Sequence, residues 1–228
     1  MNIDQFLVKV KSAIQKNLEG VIALRDRRSL KDDLSYVTDG DLFVQSLILD
    51  ILKEESKVTI VTEESQAEVS HKEEEGFIVV IDPIDGTENF TSGLAEWGVS
   101  IACFLDYQHV GSLLGCPELN LWLKTGDNVE RFNSRIRGLS SSLTLDELVK
   151  ATQGHEYRIL GCCVYNMINV IRGSFLSFEN PKGANSWDIL AGLNLALENN
   201  LIVEVDDKPY TGEYLQANRK YRFRVEHR

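Results

Sequence analysis

The chain has 228 residues, 43% of them hydrophobic and 26% charged, which is typical of a globular protein with one large domain or two small ones. Its net charge of −11 argues against a general nucleic-acid binder and against a protein that binds anionic membranes. The longest apolar runs are far shorter than a membrane span, and the N-terminus lacks the apolar core of a signal peptide.

The first half of the chain alternates between helical and strand patterns. Apolar residues at steps of three and four predict one helix over residues 3–22 and, after a polar loop, another over residues 39–54. Thr38 or Asp39 can cap the second helix. Runs of β-branched and aromatic residues predict strands over residues 58–62, 77–81, 99–104 and 110–114. The acidic segment 66–76 is interpreted as a solvated loop.

The second half has weaker patterns up to residue 157 and clearer ones beyond. Helices are predicted over residues 143–151, 163–171 and 187–198, with Ser186 as the N-cap of the last. Strands are predicted over residues 119–123, 132–136, 173–178, 201–205 and 221–225. The last strand alternates apolar and basic residues, as an edge strand does. The four cysteines lack metal or disulfide spacing, so we expect reduced thiols and a cytoplasmic protein.

The sequence Asp-Pro-Ile-Asp-Gly-Thr-Glu-Asn-Phe at residues 82–90 carries the strongest chemical signal. Asp82 and Asp85 follow a buried strand and would repel each other unless a cation lies between them. Oxygen ligands of this kind suit Mg²⁺. Gly86 permits a sharp turn, after which the free N–H groups of a short helix can face a phosphate. The alternative is an ordinary turn with an aspartate cap.

This segment closely resembles a motif of the inositol monophosphatase family, and three further fragments resemble other parts of that family. They are Lys-x-Asp-x-Ser-x-Val-Thr-x-x-Asp at residues 31–41, Glu63-Glu64, and the Trp187-Asp188 pair at a helix start. Their order along the chain also matches. The resemblance implies an α+β fold, a layered α/β sandwich of the sugar phosphatase superfamily.

The resemblance implies a role for each matching residue. The metal ligands would be Glu63, Asp82, the carbonyl of Ile84, Asp85 and Asp188, holding two or three Mg²⁺ ions. The catalytic residues would be Glu63 and Thr87, which orient and deprotonate the attacking water, and Asp41, which supports Thr87 and the metal cluster. The substrate-binding residues would be Asp85, Gly86, Thr87 and Asp188. Singly, Asp41 and Asp188 can also be helix caps, and Glu63 a surface acid.

The chain is shorter than typical family members, and the missing residues fall between Ala151 and Arg158 and after Val205. We therefore expect an N-terminal half that holds the metal site, residues 1–115, and a truncated half for substrate recognition, residues 116–228. The acid that grips inositol hydroxyls in the family has no clear counterpart here. Loose or unusual specificity follows.

The function implied is Mg²⁺-dependent, lithium-sensitive hydrolysis of a small phosphomonoester. Inositol phosphates, sugar phosphates and nucleotide 3′-phosphates are all candidates. The alternative is a weak or inactive relative that binds a phosphorylated metabolite or a protein partner. The partners expected are a small phosphorylated metabolite and a second copy of the chain in a homodimer, with no nucleic acid and no membrane.

Overall fold

The computed structural model describes residues 1–30, 36–53, 55, 58–63, 76–152 and 156–228. Residues 31–35 of the Lys-x-Asp-x-Ser fragment and nearly all of the predicted acidic loop lie outside these ranges. The helices are α1 (Ile3–Lys16), α2 (Leu18–Ile22), α3 (Asp39–Leu52), α4 (Thr87–Thr91), α5 (Leu145–Ala151), α6 (Cys163–Ile171) and α7 (Ser186–Glu198). A short 3₁₀ helix covers Pro117–Leu119.

The strands fall into three sheets among the described residues. The first half contains β1 (Arg28–Leu30), β2 (Tyr36–Thr38), β3 (Val58–Thr62), β4 (Phe77–Asp85), β5 (Gly98–Leu105) and β6 (Gln108–Cys116). The second half contains β7 (Leu121–Lys124), β8 (Arg137–Leu139), β9 (Tyr157–Ile159), β10 (Ser177–Ala184), β11 (Ile202–Val205), β12 (Lys208–Pro209) and β13 (Tyr221–Glu226).

Four layers make up the fold. A five-stranded sheet has the order β3-β4-β5-β6-β7, a six-stranded sheet has the order β12-β11-β13-β10-β8-β9, and β1 pairs with β2. Helices α6 and α7 contact strands of both large sheets, while α1 and α3 pack on the five-stranded sheet. Both large sheets mix parallel and antiparallel pairs. The prediction of a layered α/β sandwich is confirmed.

Strand β4 is buried on both faces, which explains its uninterrupted apolar sequence. Val79 and Ile81 belong to the core formed with α1 and α3. Ile78 and Val80 belong to the core formed with α6 and α7. Since the strand has helices on both sides, its carboxyl end is held firmly between two layers.

The structure differs from the predicted elements in several places. Asn17 separates α1 from α2, where one helix was predicted. Strand β4 continues to Asp85, with an irregularity in its register between Asp82 and Asp85. Pro83, which has no N–H group for the ladder, lies inside that irregularity. Helix α7 takes Asn185 as its N-cap, one residue before the predicted Ser186.

The prediction of an edge position for the last strand is wrong. Strand β13 pairs with β10 on one side and β11 on the other. Its alternation reflects one buried face, formed by Tyr221, Phe223 and Val225. The predicted strand over residues 132–136 has no regular structure. No helix among the described residues is both long and apolar enough to cross a bilayer.

Candidate active site

A cavity of about 290 Å³ lies where the ends of β3 and β4 meet the start of α7 and the second sheet. The lining from the five-stranded sheet and its turns includes Glu63, Asp82, Ile84, Asp85, Gly86 and Thr87. Asp188 of α7 completes this acidic part. The remaining lining comes from α6 and from the six-stranded sheet, which we call the second sheet. The five-stranded sheet and the second sheet, with the helices between them, must therefore come together to form the cavity.

Three carboxylates converge inside this cavity. One oxygen from each of Glu63, Asp82 and Asp188 lies within 4.8 Å of the other two. The three residues are distant in sequence but belong to three adjacent elements. Carboxylate oxygens at this spacing can hold a divalent cation such as Mg²⁺.

Strand register places the first two of these carboxylates side by side. Strands β3 and β4 are parallel, and Thr62 pairs with Ile81. Glu63 directly follows Thr62, and Asp82 directly follows Ile81. The two carboxylates therefore leave the same edge of the sheet next to each other.

A tether from β5 brings Asp188 to the same place. Ser100 pairs with Asp82 in the β4–β5 ladder. Its hydroxyl donates a hydrogen bond of 2.9 Å to the carbonyl of Trp187. Asp188 also accepts a 2.8 Å hydrogen bond from the N–H of Asn185 through Oδ2. Asp188 thus serves as a helix cap and a member of the cluster at once.

Asp85 is oriented by the start of α6. Its Oδ2 accepts hydrogen bonds from the thiol of Cys162, at 2.9 Å, and from the N–H of Val164. Burial raises the pKa of the Cys162 thiol well above its usual value, which keeps the thiol protonated as a donor. Asp85 therefore links the end of β4 to the start of α6.

Gly86 and Thr87 form the tight turn predicted after the strand. Gly86 adopts φ = 79°, which favours glycine, and precedes the short helix α4. The hydroxyl of Thr87 donates to the carbonyl of Ile84 at 3.1 Å. Asn89 extends the connection, because its amide donates to the carbonyls of Glu96 and Leu160.

Asp41 lies behind the cluster and is fully buried near the start of α3. Its Oδ2 accepts hydrogen bonds from the N–H and the hydroxyl of Thr38, at 2.8 and 2.6 Å. It lies close enough to Asp82 to raise the pKa of that carboxyl. This position agrees with a supporting role, while its predicted support of Thr87 stays a prediction.

The electrostatics of the cluster favour a bound cation. Burial, followed by repulsion from Glu63, Asp85 and Asp188, raises the pKa of Asp82 well above its usual value. Burial is also the main cause that raises the pKa of Asp85 to about 6 and that of Asp188 to about 8. Asp82 Oδ1 is buried and has no hydrogen-bond partner among the residues that the structure describes. A divalent cation would satisfy this oxygen and offset the repulsion, so the residues fit a metal site.

These shifts predict an unusual pH dependence for the metal-free protein. Since the folded state binds protons more tightly at Asp82, Asp85 and Asp188, the stability they contribute is lost as pH rises through their raised pKa values. We expect the Tm in excess chelator to fall between about pH 6.5 and 8.5. Added Mg²⁺ should restore more of the Tm at the upper end.

The pH window is chosen to exclude other groups. Burial lowers the pKa of His109 to about 4, so this residue adds stability as pH rises, whereas the carboxyls remove it. The gain from His109 is complete near the usual histidine pKa of about 6.5, at the lower limit of the window. The variant Asp188→Asn is the matched control and should show a flatter profile. A Tm in chelator that stays constant or rises across the window would contradict the electrostatic account.

Several residues of the cavity were not predicted from the sequence. They are Ser140, Ser141, Ser142, Asn166, Asn180 and Lys220. Most of them lie in turns or next to strands of the second sheet, where periodicity was weak. Asn166 faces the cavity from α6, and within the described part of the chain its buried Oδ1 has no hydrogen-bond partner. The run of three serines was the one visible signal.

The chain is similar in sequence to one family model and to several curated proteins. A family model described as the inositol monophosphatase family matches residues 2–220. The fructose-1,6-bisphosphatase/inositol-1-monophosphatase of Thermotoga maritima is 29% identical over 180 residues, 71% of this chain and 68% of that protein. Nus factor SuhB of Escherichia coli strain K12 is 33% identical over 148 residues, 63% of this chain and 53% of that protein.

Solved structures show the same fold. An IMPase/NADP phosphatase complexed with Mg²⁺ and phosphate has a TM-score of 0.81 at 20% identity, covering 99% of this chain and 90% of that one. The curated relatives, by contrast, are matched over about half to two thirds of their length. The fold and the family model extend over nearly the whole chain, while the pairwise alignments to these two curated relatives cover 71% and 63% of it.

Proposed function

The chain belongs to the inositol monophosphatase family, and on this basis we propose that it is a phosphatase that uses Mg²⁺ to hydrolyse a small phosphomonoester. The observation that carries the proposal is the convergence of Glu63, Asp82 and Asp188 in one cavity. The family and the fold support phosphatase activity in general. The metal and the substrate class are inferred from the chemistry of the cavity.

We propose that Glu63, Asp82 and Asp188, with Asp85 and the Ile84 carbonyl, hold two or three Mg²⁺ ions. Bound there, these ions would neutralise the charge of the phosphoryl group and activate a water molecule. A solved IMPase/NADP phosphatase of the same fold is complexed with Mg²⁺ and phosphate. That complex supports the choice of metal and of ligand.

The protein's own groups then position the reactants. The N–H groups of Gly86 and Thr87, at the start of α4, can donate to phosphate oxygens. Glu63 can accept a proton from the attacking water, which Thr87 helps to orient. The hydrogen bond from Thr87 to the Ile84 carbonyl holds the threonine hydroxyl in place. The buried Asp41 supports this arrangement from behind.

Removal of divalent cations tests the proposal. We expect hydrolysis of inositol 1-phosphate and of sugar phosphates in millimolar Mg²⁺ to fall by at least about a hundredfold in excess chelator. Restored Mg²⁺ should recover the rate. Equal release of phosphate with and without chelator would exclude the metal-dependent mechanism. A protein that binds these ligands without turnover would favour the alternative of an inactive relative.

Two glycines with the same backbone angle test the turn after β4. Gly86 and Gly93 both have φ = 79°. An added Cβ at Gly86 would lie 3.0 Å from the Cβ of Cys162, whereas one at Gly93 would meet no described atom within 4 Å. Both alanine variants should lose about 1–2 kcal/mol of unfolding free energy because of backbone strain.

Only the Gly86→Ala variant should also lose turnover, because the added methyl pushes against the Cys162 turn that orients Asp85. Urea unfolding gives the stability of each variant, and phosphate release in saturating Mg²⁺ gives its activity. Gly93→Ala is the control for strain alone. Equal activity in the two variants would show that the close approach at Gly86 does not matter for function.

A further inference from the structure

Part of the cavity lining is not explained by cleavage of a phosphoester. Ser140, Ser141 and Ser142 follow β8, and Lys220 precedes β13. We call these four residues the second-sheet rim. Among the described residues that line the cavity, Lys220 is the only one with a cationic side chain.

Strand pairing places Lys220 next to the acidic part of the cavity. Tyr221 pairs with Ala184 in the antiparallel ladder of β10 and β13. Lys220, one residue earlier, therefore lies beside Asn185, which immediately precedes α7. An added Cβ on Gly183 would lie only 3.0 Å from the backbone of Tyr221, so the two strands approach closely here. The position of Lys220 is fixed by the sheet.

The basic residues around Lys220 are all engaged elsewhere. Arg219 pairs with Asp206 at 2.7 Å, Arg222 with Asp207 at 2.7 Å and Arg224 with Glu226 at 2.6 Å. Lys220 is exposed and has no carboxylate within 4.0 Å among the residues that the structure describes. Its ammonium group is thus available for a ligand in the cavity.

The serines of the rim add a further donor. Ser140 and Ser142 share one hydrogen bond of 2.8 Å between their hydroxyls. This bond uses one hydroxyl proton, which leaves the other free to donate. The N–H of Ser140 donates to the Glu179 carbonyl, which joins the start of the loop to β10. Nearby, Lys182 of β10 pairs with Glu147 of α5 at 3.3 Å.

We propose that the second-sheet rim binds a second anionic group of the substrate, so that preferred substrates carry a phosphate or a carboxylate besides the phosphoester that is cleaved. The inference rests on the proposed function for the cleaved group. An ammonium group and a hydroxyl proton both act as donors toward an anion. The cavity of about 290 Å³ restricts the substrate to one small metabolite.

The test compares glucose 1,6-bisphosphate and glucuronic acid 1-phosphate with glucose 1-phosphate. The variant is Lys220→Met, and Lys208→Met is the control, because Lys208 is exposed on β12 of the same sheet but outside the cavity lining. We expect the parent protein to prefer the doubly anionic substrates in kcat/KM. Lys220→Met should reduce that preference about two- to fivefold, the range typical of an exposed charge pair. Lys208→Met should leave it unchanged.

Binding is measured separately by the ligand-induced rise in Tm, with Ca²⁺ in place of Mg²⁺. The two sugar anions distinguish a phosphate subsite from a carboxylate subsite. The inference would be overturned if Lys220→Met kept the parent protein's preference for doubly anionic substrates in kcat/KM. If no substrate is cleaved, the same preference in binding decides the matter. An equal fall in kcat/KM for the singly and the doubly anionic substrates would also overturn it, because Lys220 would then act on the cleaved phosphate. Absent turnover with Lys220-dependent binding would refute only the proposed function.

Discussion

Replacing Asp82 with asparagine is expected to lower kcat by about a thousandfold or more, equivalent to about 4 kcal/mol of transition-state stabilisation. Asp82 is the most buried member of the cluster, at 1% exposure, and it is repelled by Glu63, Asp85 and Asp188. Asparagine keeps the shape but removes the charge. Cation binding should weaken, because the cluster loses its central anion.

The same variant should be more stable than the parent protein when no metal is present. Removing a buried, repelled carboxylate relieves the cost of its burial at pH 8. Differential scanning calorimetry in chelator and in Mg²⁺ measures both effects. We expect a higher Tm in chelator and a smaller rise in Tm on adding Mg²⁺. A variant that is less stable and still active would show that Asp82 is a structural residue only.

Asp188→Asn is expected to reduce turnover about a hundred- to thousandfold, or about 3–4 kcal/mol. The asparagine oxygen can still accept the N–H of Asn185, which preserves the helix cap seen at 2.8 Å. The negative charge that faces Glu63 and Asp82 is lost. Turnover at saturating Mg²⁺, together with Tm, separates the two roles of Asp188.

The matched control is Asp39→Asn, which removes an acid from the first turn of α3, outside the cavity lining. Both substitutions weaken the interaction of an acid with a helix dipole, an effect of about 0.3–1 kcal/mol at most exposed sites. Only Asp188→Asn removes a charge from the cluster. Near-parental turnover in Asp188→Asn would mean that Asp188 is only a helix cap and is not a ligand of the metal site.

One portion of the acidic part of the cavity could be predicted from a strong local sequence pattern. Asp82 and Asp85 lie at the end of an apolar strand, and Gly86 opens a turn whose φ the sequence anticipates. The fold class and the roles of Glu63 and Asp188 were instead implied by the resemblance to the inositol monophosphatase family. What joins these residues was not visible: the tether from Ser100 to Trp187 depends on strands and helices far apart in sequence.

The second-sheet rim could not be predicted because its position depends on strand register. Lys220 reaches the cavity only through the pairing of Tyr221 with Ala184. The sequence around it alternates as an edge strand does, yet β13 is an interior strand. The spacing of the cysteines gave Cys162 no role, and its hydrogen bond to Asp85 appears only once α6 packs against β5 and β6, beside the end of β4.

Anomalous scattering from crystals soaked in Mn²⁺ and phosphate would show whether the carboxylate cluster is a metal site. Mn²⁺ takes the same oxygen ligands as Mg²⁺ and gives a strong anomalous signal. The account predicts a peak within bonding distance of oxygens from Glu63, Asp82 and Asp188, and no such peak in crystals of Asp82→Asn. An empty cluster in the parent crystals, with Mn²⁺ bound elsewhere or not at all, would contradict it.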